Sequence, residues 1–156
     1  MRLSRNLPES CCKKGLIEIF NSKTEIVEMG KFGTTAVIAT NLITSDKVGD
    51  PIKAWAKAAL AVFPDSESSR QKGCPKNAYL GLCEDGLVRG VMRGNYTSSN
   101  KNKGYALEAL HLLKSDSALV NNHALLWKKV MKGVEKKENN QMDVVISLFQ
   151  EGYLEM

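Results

Sequence analysis

The sequence predicts an all-α fold, a compact single-domain bundle of about six helices, on three observations. Apolar residues recur at helical spacing in successive segments after residue 30. Those segments are bounded by helix start and stop residues: Asp50–Pro51, Pro64, Gly86, Asn122, Gly133 and Gly152. At 156 residues, 43% of them hydrophobic and 25% charged, the chain is long enough to bury a core and ordinary in composition for one globular domain.

Residues 1–28 stand apart as an N-terminal arm. Their stretch LIEIFNSKTEIVEM reads as two short strands turning near Asn21, Ser22 and Lys23, or as an irregular helix. Residues 29–156 form the helical domain. From Lys31 onward, Ala36, Thr40 and Ile43 share a face with Val37 beside them, although Thr34, Thr35 and Thr40 also suit a strand. Next, Asp50 caps a helix with Pro51 in its first turn. Ile52, Trp55, Ala59 and Val62, with Ala56, Leu60 and Phe63, give it a wide apolar stripe, and Pro64 ends it. After the loop DSESSRQKG, Pro75 opens a helix through Ala78, Tyr79, Leu82 and Cys83, with Gly86 beyond its end. VRGVMRGNYTSSNKNKG reads as a loop or short hairpin. A helix follows over roughly residues 105–113 by its apolar period, then one from an Asn122 cap through Leu126, Trp127 and Val130 to Gly133. The last spans residues 141–150, with Val145, Ile146 and Phe149 inward and Gly152 closing it.

Two of these helices share an ending. LGLCEDGLV (Leu80–Val88) aligns with ISLFQEGYL (Ile146–Leu154). Each reads as a helix closed by a left-handed glycine whose following apolar residue folds back. The alternative, one member being the central helix of a helix-turn-helix, rests on analogy. From about Met29 to Leu154 the chain resembles a family of small bacterial proteins known only as a domain of unknown function. The stretches that carry the likeness are DPIKAWAKAALAVFPDSESSRQKGCPKNAYLGLCEDGLV, GNYTSSNKNKGYALEALHLL and NNQMDVVISLFQEGYL. The resemblance implies one compact domain, leaves residues 1–28 as an appendage and carries over no functional residues.

The charge is concentrated. Arg70 to Lys103 holds seven cations and two anions, Glu84 and Asp85, so this segment carries the whole formal charge of +5. An excess gathered in one turn-rich stretch points to an anionic partner. Basic loops precede two helices, SSRQKGCPK and NYTSSNKNKG, and a helix N-terminus offers free N–H groups and a positive dipole end to phosphate. The candidate anion-binding residues are Ser69, Arg70, Lys72, Lys76, Arg93, Asn95, Tyr96, Thr97, Lys101 and Lys103. Ser68, Ser98 and Ser99 add hydroxyls, and Tyr96 and Tyr105 add stacking surfaces among the cations. The competing reading is capped helices with solvated lysines. No GxxxxGK[ST] loop is present, so nucleotide hydrolysis is unsupported.

The sequence therefore suggests a non-enzymatic binding module for nucleic acid or a phosphate-bearing ligand, with no cofactor and no catalytic or metal residues assigned. One alternative is a protein-interaction or homo-oligomeric module assembling through the arm. Another is a cysteine enzyme using Cys74, at a helix start where the dipole favours a thiolate, with a histidine such as His123 beside it. The four cysteines, Cys11, Cys12, Cys74 and Cys83, match no zinc pattern, and Cys83 reads as core. Trp55 and Trp127 read as packing residues. Lys128, Lys129, Lys132, Lys136 and Lys137, interrupted by Glu135 and Glu138, read as a solvated helix face. No apolar run approaches the ~20 residues of a membrane span, and no signal peptide is visible, so a cytoplasmic location is the expectation.

Overall fold

In a computed structural model of the chain, which describes residues 30–155, six helices of nine residues or more carry the fold. They are α1 (Lys31–Thr44), α2 (Pro51–Val62), α3 (Gly73–Glu84), α4 (Asn100–Ser115), α5 (His123–Met131) and α6 (Gln141–Gln150). A single helical turn, Glu67–Arg70, lies within the expected loop DSESSRQKG, and a 3-10 turn, Ser117–Asn121, joins α4 to α5. The two readings of the arm, and Cys11 and Cys12 with them, lie outside the described residues.

The capping signals act as their chemistry dictates. The Asp50 carboxylate accepts from Ile52 N–H at 3.0 Å, with Pro51 in the first turn, and Asn122 Oδ1 accepts from Leu125 N–H at 3.0 Å. The threonines that left α1 ambiguous turn inward along the helix. Thr34, Thr35 and Thr40 each donate to the carbonyl four residues back, at 2.8–3.0 Å, which satisfies the hydroxyl without leaving the helix. Thr40 also meets the buried Tyr79 hydroxyl at 2.9 Å. Because Thr40 donates to Ala36, Tyr79 is the donor in that contact.

Two helix starts and one helix face differ from the sequence reading. α3 begins at Gly73, with Pro75 in its first turn, where its missing N–H is no loss. α4 begins at Asn100 under a Ser99 cap, five residues before Tyr105, so Lys101 and Lys103 are helical. On α2, Ala54, Trp55, Ala58 and Ala59 face the core, whereas Ile52, Ala56 and Leu60 are exposed; the wide apolar stripe is two faces.

α6 is the axis of the bundle. Residues 141–148 are buried without interruption, and α1, α3 and α4 all pack against this helix. An all-round buried helix must satisfy its own polar side chains. Gln141 donates to Asn102 Oδ1 at 2.9 Å and accepts from Asn139 N–H at 2.8 Å. Asp143 reaches the N-terminus of α1, accepting from Gly30 N–H at 3.1 Å and Gly33 N–H at 2.7 Å. These are the N-cap and third-residue donors that a capping box satisfies from its own helix. Here one carboxylate of a distant helix does both. Its approach requires glycine at both positions: a Cβ on Gly30 would lie 2.5 Å from Asp143 Oδ2, and one on Gly33 would lie 1.9 Å from Ser147 Oγ.

The repeated ending has a structural meaning. Leu87 N–H bonds to Leu82 O at 3.0 Å, and Tyr153 N–H to Leu148 O at 2.9 Å, around Gly86 (φ 74°) and Gly152 (φ 79°). The residues that follow then pair with each other. Val88 and Leu154 form an isolated antiparallel bridge, flanked by Arg89 N–H to Tyr153 O at 2.7 Å and Glu155 N–H to Leu87 O at 2.8 Å. Both bridge side chains are buried, so the ends of α3 and α6 are tied into the core as a matched pair.

Candidate functional site

The ten candidate residues fall in three places along α3. Before its first turn, the Arg70 guanidinium donates to Phe63 O at 2.6 Å and Pro64 O at 3.1 Å, capping the carbonyl end of α2. Ser69 is tied to Ser66, whose hydroxyl accepts from Ser69 N–H at 3.3 Å and donates to Ser69 Oγ at 2.9 Å. Lys72 Nζ lies 5.5 Å from the Phe32 ring centroid, a cation–π distance. These three hold the α2–α3 connection in place.

At the other end of α3 the chain turns and runs back along the helix. Gly94 N–H bonds to Glu84 O at 3.3 Å, and Tyr96 N–H to Glu84 Oε2 at 3.1 Å. The Tyr96 hydroxyl donates to Met92 O at 2.7 Å, and its ring covers Gly94 so closely that a Cβ there would lie 2.5 Å from the ring. The Arg93 stem lies over Gly86, while Arg93 and Asn95 remain exposed. Lys103 reaches this end from α4. Its ammonium bonds Asp85 at 2.8 Å and Glu84 at 3.0 Å, with the Lys103 and Glu84 side chains only 22% and 12% exposed. Asp85 first, then Glu84, hold the Lys103 ammonium above its ordinary range; the Lys103 hydrogen bond holds the Glu84 carboxyl below its own. The two anions of the basic segment thus share one of its cations. Gly81 makes this possible, since a Cβ there would lie 2.7 Å from Lys103 Cβ.

Between these ends the second basic loop meets an early turn of α3. Thr97 Oγ1 donates to Asn77 Oδ1 at 2.8 Å and accepts from Ser99 N–H at 3.0 Å. Ser99 Oγ caps α4, accepting from Asn102 N–H at 3.4 Å and Asn102 Nδ2 at 3.0 Å. Lys76 precedes Asn77, and Lys101 follows the cap by two residues; neither has an ion-pair partner among the described residues. This seam joins an early turn of α3 to the N-terminus of α4. It carries hydroxyl and amide groups fixed by hydrogen bonds, with Lys76 and Lys101 beside them along the chain.

Burial pushes the Cys83 thiol up to about 12, which leaves it protonated at neutral pH. Cys74 is half-buried in the first turn of α3, and among the described residues no hydrogen bond joins it to His111 or His123. No group of three His, Cys, Asp or Glu side chains that could hold a metal ion occurs among the described residues. No helix among them is long and apolar enough to cross a membrane. Trp55 and Trp127 are buried, and the Trp127 indole donates to Lys136 O at 2.6 Å, folding the lysine-rich turn after α5 back onto the bundle. Those five lysines are exposed; only Lys128 and Lys129 lie within α5.

The sequence reading missed the roles of Gly81 and the Asp143–Gly30–Gly33 contact. A Gly-x-x-Gly at a helix start, and one acid inside an apolar helix, were the available signals. The chain belongs to a family of unknown function, DUF6979, which matches residues 29–155. That match begins at the residue before Gly30, where Asp143 takes hold of the chain. No curated protein and no solved structure matches the chain.

Proposed function

We propose that this protein is a binding module for an anionic partner, nucleic acid or a phosphorylated ligand, engaged at the seam between α3 and α4. The observation that carries the reading is the Thr97–Asn77 hydrogen bond, which holds the second basic loop against α3 with Lys76 and Lys101 nearby. A helix N-terminus with adjacent ammonium groups attracts phosphate oxygens through oriented N–H dipoles and charge. Arg70, Lys72 and Lys103 belong to the framework rather than the contact, because each already has a protein partner. The contact set is therefore Lys76, Ser98 and Lys101, with Arg93 as an outer cation and Thr97 as part of the framework.

The test is fluorescence anisotropy of a labelled single-stranded oligonucleotide with the full chain across a salt series. Two to three released counterions give a slope of log K against log salt of about −1.4 to −2.1. Lys76→Ala with Lys101→Ala is expected to lower that slope by about 1.4, whereas Lys129→Ala leaves it unchanged. Absence of binding at low salt, or a slope indifferent to Lys76 and Lys101, refutes the reading.

A further inference from the structure

The outer face of α2 carries an apolar row that no described residue covers. Ile52, Ala56 and Leu60 recur every fourth residue, so they lie along one side of the helix, and Ile52 and Leu60 are 38% and 56% exposed. Lys53 and Lys57 run beside the row, and Lys47 stands in the preceding turn. Val48, Ala56 and Leu60 with Lys47, Lys53 and Lys57 line a shallow open groove whose floor is apolar and whose margin is cationic, and Ile52 lies one turn before Ala56. Two acids stand near that margin. The Asp50 carboxylate is committed to Ile52 N–H, and Asp46 lies in the turn before Lys47. The complement of this surface is a segment with apolar residues on one side and glutamates on the other.

Such a segment exists in the chain itself. Residues 16–28, LIEIFNSKTEIVE, hold Leu16, Ile17, Ile19, Phe20, Ile26 and Val27 with three glutamates against one lysine. Their connection to the fold is at the right place. Gly30 opens α1 two residues before Phe32, and the Phe32 ring lies 4.8 Å from the Phe63 ring at the end of α2. Leu60 is one turn back along α2 from Phe63, and Lys31 Nζ lies 5.7 Å from the same Phe63 ring, adding a cation where the segment arrives. The Ile52–Leu60 row is roughly 12 Å long, within reach of thirteen residues as helix or as extended chain.

We infer that residues 16–28 dock in the same molecule on the outer face of α2, with their apolar residues on Ile52, Ala56 and Leu60 and their glutamates toward Lys53 and Lys57. This surface is separate from the seam at Thr97 and Asn77, so the inference does not depend on anion binding there.

Hydrogen exchange on the full chain tests it, read peptide by peptide. In the native protein, residues 16–28 are expected to exchange at least about tenfold more slowly than an unstructured peptide. Leu60→Lys, on an exposed position, is expected to remove that protection while α6 exchanges as before, which shows the bundle intact. Lys53→Glu with Lys57→Glu is expected to remove it as well, and adding Glu18→Lys and Glu25→Lys to that variant is expected to restore it. Exchange of residues 16–28 at the unstructured rate in the native chain overturns the inference, as does protection unaffected by Leu60→Lys. Protection lost on dilution, together with a dimer mass in light scattering, overturns it in favour of the segment of a second copy.

Discussion

Replacing Asp143 by alanine removes the one side chain that serves both leading N–H groups of α1. The Gly33 N–H bond, 2.7 Å and buried, is the costlier loss, because a buried donor left without its acceptor keeps its desolvation penalty. The Gly30 N–H, at 3.1 Å and partly exposed, recovers part of its loss from solvent. Hydrogen bonds to a charged group contribute about 1.5–3 kcal/mol each, so one full and one partial loss come to about 3 kcal/mol. That is a large share of the roughly 5–15 kcal/mol that stabilises a domain, and corresponds to a fall in Tm of about 10 °C. Asp143→Asn keeps one acceptor oxygen and should cost about half as much. Urea unfolding followed by circular dichroism measures both, with an unchanged m-value as the check that the folded and unfolded states are otherwise the same. An Asp143→Ala loss below about 1 kcal/mol, or an asparagine variant no better than alanine, would refute the claim that this carboxylate caps α1.

Gly81→Ala sets a Cβ 2.7 Å from that of Lys103 and should destabilise by about 1–3 kcal/mol by forcing α3 and α4 apart, measured by the same urea titration. Leu154→Ala empties a buried position of the bridge that joins the two helix ends, and a loss of about 2–4 kcal/mol is expected in thermal unfolding. The Glu84–Lys103 pair sets a pH window. The lowered Glu84 carboxyl contributes stability that is present above the ordinary glutamate range and lost as pH falls through its depressed folded value; the Lys103 ammonium, raised by Asp85 first and then Glu84, contributes stability that is present below the ordinary lysine range and lost as pH rises through its raised folded value. The stability difference between native protein and Lys103→Met should therefore be flat between those limits and shrink on both sides. Cys83 should resist alkylation at neutral pH until the protein unfolds, since burial keeps its thiol protonated; fast labelling in the native state would contradict this.

Legibility followed the range of the interaction. Local signals were readable: the Asp50 and Asn122 caps, the Gly86 and Gly152 closures, and the helical faces of Trp55 and Trp127 are decided by neighbours within a turn or two. Even the likeness between the two helix endings was visible. That Val88 and Leu154 pair was not, because pairing is settled by where α6 brings its end. The apolar period begins five residues inside α4, and Asn100, Asn102 and Gly104 are poor helix formers; tertiary contacts of Asn102 and Lys103 hold that turn. The candidate site suffered most from this limit. Composition identified the cations, but Arg70, Lys72 and Lys103 look like Lys76 and Lys101 in sequence. Only the fold shows that the first three meet a helix end, an aromatic ring and two carboxylates. The two faces of α2 look alike for a similar reason, since Lys53 and Lys57 mark only a narrow strip and apolar residues stand on both sides of it.

A heteronuclear NMR titration of the full chain tests the binding account most directly, using a short single-stranded oligonucleotide and, separately, inorganic phosphate. The account expects the earliest and largest amide shifts at Lys76, Asn77 and Ser98–Asn102, weakening as salt rises. Shifts confined to the lysine-rich turn at Lys132–Lys137, or none at low salt, would contradict it.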